Sequence, residues 1–161
     1  MSEIVLRKEK YENFIKMIKD SGVNYDIDKI SRAYKLCEHA HEGQFRSSGE
    51  PFFYHPVAVA TILFELGMDS DTLSAALLHD VVEDTDVTIE EIEKQFGPDV
   101  AMLVSGVTKV TQIGKLPSRE EQQAENIRRM LLAMSEDIRV IIIKLADRLH
   151  NMRTIDCRPL K

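Results

Sequence analysis

The sequence predicts an all-α fold, and two observations support this prediction. Apolar residues recur at helical spacing in one segment after another. No segment forms a convincing strand, because the nearest to one, residues 104–110, has neighbours that favour helix. We also find no internal repeat and no low-complexity tract. The chain is therefore expected to fold as a bundle of several helices.

Length and composition limit the class of protein. The chain has 161 residues, 43% of them hydrophobic and 30% charged, which is enough for one domain with a proper core. The net charge of −6 argues against a nonspecific nucleic-acid binder, which would carry a basic excess. There is no run as long as a membrane span, no signal-peptide core, and no disulfide framework in two cysteines. We therefore expect a cytoplasmic protein with no membrane partner.

Caps and breaks divide the chain into predicted helices. These cover residues 3–19, 26–40, 55–66, 73–85, 88–95, 99–107, 119–134 and 136–153. Thr88 and Glu91 have the spacing of a capping box, and residues 69–71 offer caps for the helix that follows them. Residues 43–54 hold two glycines and a proline, which indicates a loop, and residues 109–118 are predicted to be a mobile connection.

The most informative stretch is the helix predicted over residues 73–85. It is mostly apolar and then carries His79, Asp80, Glu83 and Asp84 close together. At about 100° per residue, these four side chains share one arc of about 140°. The rest of the surface is apolar, so the pattern predicts a buried helix with one polar patch. Burying three carboxylates together is unfavourable unless a cation or strong donors compensate, and a metal ion is the simplest explanation.

A plainer interpretation is a helix C-terminus at which polar residues meet solvent. Acidic residues at that end oppose the helix macrodipole, so this interpretation requires a mildly unfavourable arrangement with no gain. The adjacent His-Asp pair alone is weak evidence for a metal, and the remaining segments decide between the two interpretations.

The helix predicted over residues 136–153 carries a second polar group. Asp147, Asn151, Thr154 and Lys144 lie within about 60° of one another, opposite the apolar stripe. An aspartate beside an asparagine on a polar face is usually just solvated. Here the helix is otherwise deeply apolar, which favours a functional role. His150 falls outside this group, and we interpret it as structural or peripheral.

The predicted loop over residues 43–54 carries polar and aromatic side chains together. Arg46, Ser47 and Ser48 precede three aromatic residues at positions 52–54. A guanidinium, hydroxyls and flat rings suit the recognition of a base and phosphates. His55 then sits just before the first turn of the next helix, so its imidazole can point away from that helix.

Three residues at the C-terminal end of the second predicted helix are considered as metal ligands and rejected. Cys37 and His41 are four residues apart, which would suit a zinc pair. Cys37, however, lies on the apolar stripe and is predicted to be a packed thiol. His39 and His41 point to different sides of the helix, and we expect neither to be a metal ligand.

The polar residues suggest one constellation. In chain order the candidate ligands are His55, His79, Asp80 and Asp147. Two imidazoles and two carboxylates suit manganese, iron, zinc or magnesium rather than a metal that prefers thiolates. Such a set leaves positions for water and substrate. Glu83 and Asp84, one turn further on, could position and deprotonate the water.

These residues resemble a known family. The order H…HD…D on a helical domain is similar to the HD-domain metal-dependent phosphohydrolases. More narrowly, the segments RSSGEPFFYHPVAVA, AALLHDVVEDTDVT, FGPDVAMLVSGVTKV and IKLADRLHNMRT resemble the hydrolase domain of the RelA/SpoT alarmone enzymes, over nearly all of residues 25–155. The resemblance implies an HD-domain bundle that removes the 3′-pyrophosphate of guanosine tetra- and pentaphosphate (ppGpp and pppGpp), typically with Mn²⁺, in the stringent response.

The resemblance also implies roles for individual residues. The residues that match the metal ligands of the family are His55, His79, Asp80 and Asp147. Those that match the pair activating the attacking water are Glu83 and Asp84. Those that match the lining of the guanine-nucleotide pocket are Arg46, Ser48, Asn151 and Thr154.

The chain departs from the family pattern in two ways. Relatives commonly have a basic residue where this chain has Ser47, so we expect one phosphate contact to be weaker or relocated. Relatives also continue with more hydrolase-domain helices and often a synthetase domain. We expect a single hydrolase domain over residues 1–161, shortened at its C-terminus, and no alarmone synthesis.

Two other functions are open at this point. One is an HD phosphohydrolase that acts on another nucleotide, against which Arg46, Asn151 and Thr154 favour guanine. The other is a non-catalytic alarmone-binding module, which the loss of a ligand or of Glu83 and Asp84 would have indicated; none is lost. The expected partner in each case is a small nucleotide rather than a nucleic acid.

Overall fold

Helices make up the regular structure in the part of the chain that the structure describes. The structure is a computed structural model, and it describes residues 2–114, 123–125, 127–128, 131 and 137–154. The helices, in chain order, are α1 (Glu3–Asp20), α2 (Ile27–Ala40), α3 (Tyr54–Glu65), α4 (Ser70–Asp84), α5 (Ile89–Phe96), α6 (Pro98–Gly114) and α7 (Ile138–Arg153). Over these ranges the β pairing is limited to an isolated bridge between Phe45 and Pro51. The predicted all-α class is confirmed.

Helix α4 is the centre of the bundle. It packs against α2, α3 and α6 and also contacts α7. Every residue from Thr72 to Val81 is buried, so the middle of this helix has no solvent-facing side. A helix that is apolar nearly all round must be enclosed by others. The predicted buried helix is confirmed, and its polar end is carried into the core.

The ends of α4 and α5 are capped by side chains that the sequence indicated. Asp69 accepts a hydrogen bond from the Thr72 backbone N–H at 2.9 Å and begins α4. Thr88 and Glu91 form the predicted capping box of α5, each accepting from the other's backbone N–H. These caps satisfy N–H groups that have no partner within the helix.

Asp69 also ties the first turn of α4 to that of α7. Arg139 donates to Asp69 at 2.8 Å and to Asp137, the N-cap of α7, at 2.7 Å. One guanidinium thus joins the N-terminal ends of two helices that are distant in sequence. Since both helices carry candidate site residues, this link helps to fix their relative position.

Helix α6 is longer than its predicted range. The prediction that the helix ends at residue 107 and gives way to a connection from 109 is wrong for residues 109–114, which are helical. Val110 is buried against the core and the Thr111 hydroxyl donates to the Val107 carbonyl, so packing continues the helix to Gly114. Residues 115–118 lie outside the described residues. The helix predicted over 119–134 is described only at 123–125, 127–128 and 131, which are helical.

Helices α6 and α7 approach closely at Gly106. A Cβ atom added at this glycine would lie 2.7 Å from Cγ2 and 3.3 Å from Cγ1 of Val140. Val140 is buried and β-branched, so it has little freedom to move aside. The absence of a side chain at Gly106 therefore allows α7 to lie where it does.

None of the described helices has both the length and the apolar character needed to cross a membrane.

Asp69→Ala should destabilise the protein by about 1–2 kcal/mol at neutral pH, because it removes an N-cap and an ion pair. Burial raises the pKa of Asp69, but the Thr72 hydrogen bonds and Arg139 outweigh it and leave the pKa lowered. A lowered folded-state pKa contributes stability above the unfolded-state pKa of about 3.9, and this contribution is lost as the pH falls through the folded-state value. Urea unfolding followed by circular dichroism should show a deficit that is constant from about pH 7 to about pH 5 and shrinks below about pH 4.

The control for this substitution is Asp86→Ala, which changes an exposed aspartate in the turn after α4. It should leave the free energy of unfolding nearly unchanged. A deficit for Asp69→Ala that is independent of pH would show that the charge of Asp69 contributes nothing.

Gly106→Ala should destabilise the protein by about 1–3 kcal/mol, because the new methyl group collides with Val140. Helix propensity alone predicts the opposite, a gain of about 1 kcal/mol. A double-mutant cycle with Val140→Ala, measured by chemical denaturation, separates the two effects. The second substitution should restore part of the loss, and strict additivity would contradict the close-contact explanation.

Candidate metal centre

Three helices bring the four candidate ligands to one place. His55 lies in the first turn of α3, His79 and Asp80 lie in the last two turns of α4, and Asp147 lies in α7. His55 Nε2 is 2.6 Å from Asp147 Oδ1. Ligand atoms of His55, Asp80 and Asp147 all lie within 4.8 Å of one another. Nε2 of His79 is 3.3 Å from Asp80 Oδ1 and 3.5 Å from Asp147 Oδ1.

The orientation of the His79 ring is fixed by the backbone of its own helix. Its Nδ1 lies 2.6 Å from the carbonyl oxygen of Ala76, and because a carbonyl only accepts, Nδ1 carries the proton. The other ring nitrogen, Nε2, consequently faces the two aspartates. Burial alone would lower the pKa of His79, but Asp80, Asp147 and the Ala76 carbonyl outweigh it and raise the pKa to about 9. The protein thus surrounds this nitrogen with negative charge that favours a cation.

Several buried polar atoms at the site lack a hydrogen-bond partner. Among the described residues these include His79 Nε2, Asp80 Oδ2 and Glu83 Oε1. A buried polar atom without a partner costs roughly 1–3 kcal/mol, and more if it is charged. Where such atoms converge with ligand-type side chains, a bound ion or water is one arrangement that satisfies them. Imidazole nitrogens and carboxylate oxygens together suit a divalent cation, so the residues present fit a metal ion.

Lys144 neutralises part of the negative charge without occupying the centre. Its ammonium group donates to Asp147 Oδ2 at 3.3 Å and to the Thr111 hydroxyl at 3.0 Å. Oδ1 of Asp147 is left facing the two histidines. Burial raises the pKa of Asp147, but the imidazoles of His55 and His79 outweigh it and hold the pKa well below its usual range. Asp147 is therefore ionised at neutral pH.

Glu83 and Asp84 differ in their surroundings although they are adjacent. Glu83 is half-buried, and burial together with the charge of Asp80 raises its pKa, which His79 and Lys144 only partly oppose. Asp84 is exposed at the end of α4. A carboxylate with a raised pKa beside a metal site is suited to accept a proton, because its affinity for the proton lies closer to that needed at neutral pH. Of the two carboxylates, Glu83 has the environment of a general base.

A tight turn presents Arg46 to the end of α7. The Arg46 N–H donates to the Glu50 carbonyl at 2.8 Å, and the Gly49 N–H donates to the Arg46 carbonyl at 2.9 Å. Gly49 has φ of +89°, which disfavours other residues at this position. The Arg46 guanidinium donates to Asn151 Oδ1 at 2.9 Å. Two of the four predicted nucleotide-binding residues are thereby brought together.

The other two predicted nucleotide-binding residues are placed differently. Ser48 is exposed within the turn after Arg46. The Thr154 hydroxyl donates to the backbone carbonyls of His150 at 3.0 Å and Asn151 at 3.2 Å, which closes the last turn of α7. In this structure the Thr154 hydroxyl is thus engaged with its own helix.

The aromatic residues of the loop are only partly available to a ligand. Phe53 is buried in the core, where its ring centroid lies 6.2 Å from that of Tyr34, so this ring is not available to a base. Phe52 is half-buried and packs on His41, with 4.7 Å between ring centroids.

Burial of Cys37 in the core confirms the predicted packed thiol.

His150, which the sequence analysis interprets as structural or peripheral, contacts two of the candidate site residues. Its Nδ1 lies 2.6 Å from Nδ1 of His55 and 3.4 Å from Nη1 of Arg46. The available signal was its position three residues after Asp147, because residues three apart are neighbours on a helix surface. Burial is the main cause that lowers its pKa, to about 4, so the ring is neutral.

The fold and the site together define an HD-domain protein. A model of the HD domain matches residues 33–161, so the chain belongs to the HD-domain family. Among its relatives is the bifunctional (p)ppGpp synthase/hydrolase SpoT of Escherichia coli strain K12, 52% identical over 145 residues, which cover 90% of this chain and 20% of the relative. The guanosine-3′,5′-bis(diphosphate) 3′-pyrophosphohydrolase of Vibrio cholerae is 54% identical over 142 residues, or 86% and 20% of the two chains.

A solved structure also matches this chain. The structure of a metazoan ortholog of SpoT, described as hydrolysing ppGpp, matches with a TM-score of 0.68 and 34% sequence identity. The match covers 86% of this chain and 76% of that one. The resemblance to the RelA/SpoT hydrolase domain is confirmed. This chain spans about one fifth of the length of the curated relatives named above.

Asp80→Asn should abolish the stabilisation that a divalent cation gives to the unsubstituted chain. A ligand that binds only the folded state raises Tm, and at about 100 times its Kd it contributes roughly 2.7 kcal/mol. Thermal unfolding with and without added Mn²⁺ or Mg²⁺ measures this effect. Asp86→Asn, at an exposed position, should keep the full shift. An undiminished shift for Asp80→Asn would place the cation elsewhere.

Proposed function

We propose that the chain is a metal-dependent hydrolase that removes the 3′-pyrophosphate of ppGpp and pppGpp, with Mn²⁺ as its cation. The observation that supports this most directly is the convergence of two groups of side chains on α7. Asp147 of this helix meets His55, His79 and Asp80 from α3 and α4, and Asn151, one turn further along α7, contacts Arg46. The relatives supply the substrate class by their names.

The proposed division of roles comes from the resemblance, and the contacts within the site support it. His55, His79, Asp80 and Asp147 would hold the cation. When bound, the cation would supply Lewis-acid chemistry, polarising a phosphoryl oxygen and offsetting its negative charge. Arg46, Asn151, Ser48 and Thr154 would bind the guanine nucleotide. Arg46 is suited to phosphate because its guanidinium donates in a fixed planar fork.

The proposed reaction is a direct attack by water. Water adds to the phosphorus bonded to the 3′-oxygen, and the bond between that phosphorus and the 3′-oxygen breaks. Glu83 accepts a proton from the water, Asp84 orients it, and the 3′-oxygen leaves and gains a proton. The products are pyrophosphate with GDP from ppGpp, or with GTP from pppGpp. The raised pKa of Glu83 suits its role as the base.

Ser47 bears on how the phosphates are held. It is exposed in the turn between Arg46 and Gly49. A hydroxyl in place of a basic side chain provides a hydrogen bond but no charge, so we propose that Arg46 and Lys144 carry more of the phosphate charge in this chain. We also propose that the protein acts in the cytoplasm on a small nucleotide, in line with its net charge of −6 and its buried free thiol at Cys37.

Glu83→Gln should retain metal binding and lose most pyrophosphate release, because the amide cannot accept the proton. General-base catalysis contributes about 10²–10⁴-fold, and kcat should fall by that order. Release of pyrophosphate from ppGpp, with and without Mn²⁺, measures activity, and calorimetry with Mn²⁺ alone measures binding. Glu65→Gln, at the exposed end of α3, is the matched control and should keep full activity.

The outcomes of this experiment separate the alternatives. Manganese-dependent release by the unsubstituted chain supports the proposal. Release from another nucleotide but not from ppGpp would indicate a different HD phosphohydrolase. Binding of ppGpp without release would indicate an alarmone-binding module. Full activity of Glu83→Gln would contradict the role given to Glu83.

A further inference from the structure

His150 lies between the candidate metal ligands and the turn that carries Arg46. On one side its Nδ1 is 2.6 Å from Nδ1 of His55, and the two rings lie 4.9 Å apart, tilted by 34°. On the other side the same nitrogen is 3.4 Å from Nη1 of Arg46. One imidazole thus contacts a candidate metal ligand and a candidate nucleotide-binding residue through a single atom.

The proton positions around this atom follow from its neighbours. A guanidinium can only donate, so Nδ1 of His150 must be an acceptor toward Arg46. Two ring nitrogens 2.6 Å apart share one proton, and when Nε2 of His55 binds a cation that proton belongs to Nδ1 of His55, with Nδ1 of His150 as its acceptor. Nε2 of His55 lies 2.6 Å from Asp147 Oδ1, a carboxylate oxygen that only accepts, so a proton on Nε2 in the metal-free chain would give way to the cation.

We propose that His150 is a positioning residue that orients His55 and anchors Arg46. It accepts the Nδ1–H of His55 and so presents Nε2 of His55 to the metal cluster. Histidine ligands are commonly held in this way by an acceptor on the other ring nitrogen, which also increases their basicity. This inference rests on the proposed metal-dependent function and adds a residue to which the resemblance gave no role.

The position of His150 in α7 explains how one helix serves both parts of the site. Asp147, His150 and Asn151 occur at i, i+3 and i+4, which places them on neighbouring parts of one surface. Asp147 contacts His55, His150 contacts both His55 and Arg46, and Asn151 contacts Arg46. His150 is therefore the link between two contacts that would otherwise be independent.

The test compares two substitutions of His150, one that removes the hydrogen-bond acceptor at the position of Nδ1 and one that retains it. His150→Phe fills much of the same volume but has no acceptor for His55 or Arg46. His150→Asn places an amide oxygen near the position of Nδ1, because asparagine has its polar group at the same distance from the backbone. His39→Phe is the matched control, since His39 is exposed on α2.

Calorimetry with MnCl₂ alone should show about 10–100-fold weaker binding for His150→Phe. His150→Asn should bind more tightly than His150→Phe, and His39→Phe should match the unsubstituted chain. Equal binding by His150→Phe and the unsubstituted chain would overturn the inference while leaving the proposed function intact. Absence of binding by the unsubstituted chain itself would overturn the proposed metal site, and the inference with it.

A second measurement does not depend on the folding of a variant. Nitrogen-15 NMR of the histidine rings in the chain loaded with diamagnetic Mg²⁺ reports which ring nitrogens carry protons. A proton on Nδ1 of His55 and none on Nδ1 of His150 is the expected result. A proton on Nδ1 of His150, or none on Nδ1 of His55, would overturn the inference.

Discussion

The structure depends on the burial of carboxylates and imidazoles at one end of its central helix. Asp80, Asp147 and half-buried Glu83 lie close to His79 and His55 inside an otherwise apolar bundle. Charges are taken out of water at a large cost, which mutual attraction repays only if further partners complete the arrangement. Lys144 provides one such partner, at Asp147 Oδ2. The buried polar atoms that still lack a hydrogen-bond partner fit a cation. The same residues therefore affect both the stability of the fold and the chemistry of the candidate site.

The surrounding helices can be understood as the means of holding this arrangement. Asp69 and Arg139 join the starts of α4 and α7, while Gly106 allows α6 to approach α7 at Val140. These contacts involve other residues than the candidate ligands, yet they help to fix the position of α7, which carries Asp147. A ligand set needs its atoms held to within about half an ångström of a productive geometry, and rigid helices provide that better than loops.

The sequence predicted the features that depend on local pattern and missed those that depend on which surfaces meet. Burial of α4 and the caps at Asp69 and Thr88 follow from apolar spacing and hydrogen-bonding side chains within a few residues. The end of α6 was placed too early, because packing at Val110 continues the helix toward Gly114. His150 was missed because a helical projection of α7 cannot indicate that His55 and Arg46 lie opposite it. Arg46 and Asn151 are 105 positions apart, so their contact could be expected only from resemblance.

The two halves of the site lie in parts of the protein with different freedom to open. His79 and Asp80 belong to a helix whose middle is enclosed on every side, so their backbone amides can exchange hydrogen with solvent mainly when the whole domain unfolds. Arg46 lies in a short turn between exposed residues, and its side chain contacts Asn151 of α7. Such a segment opens locally at a much lower free energy. The protein therefore combines candidate metal ligands on a helix that opens only at a high free energy with a candidate binding residue in a turn that opens at a low one.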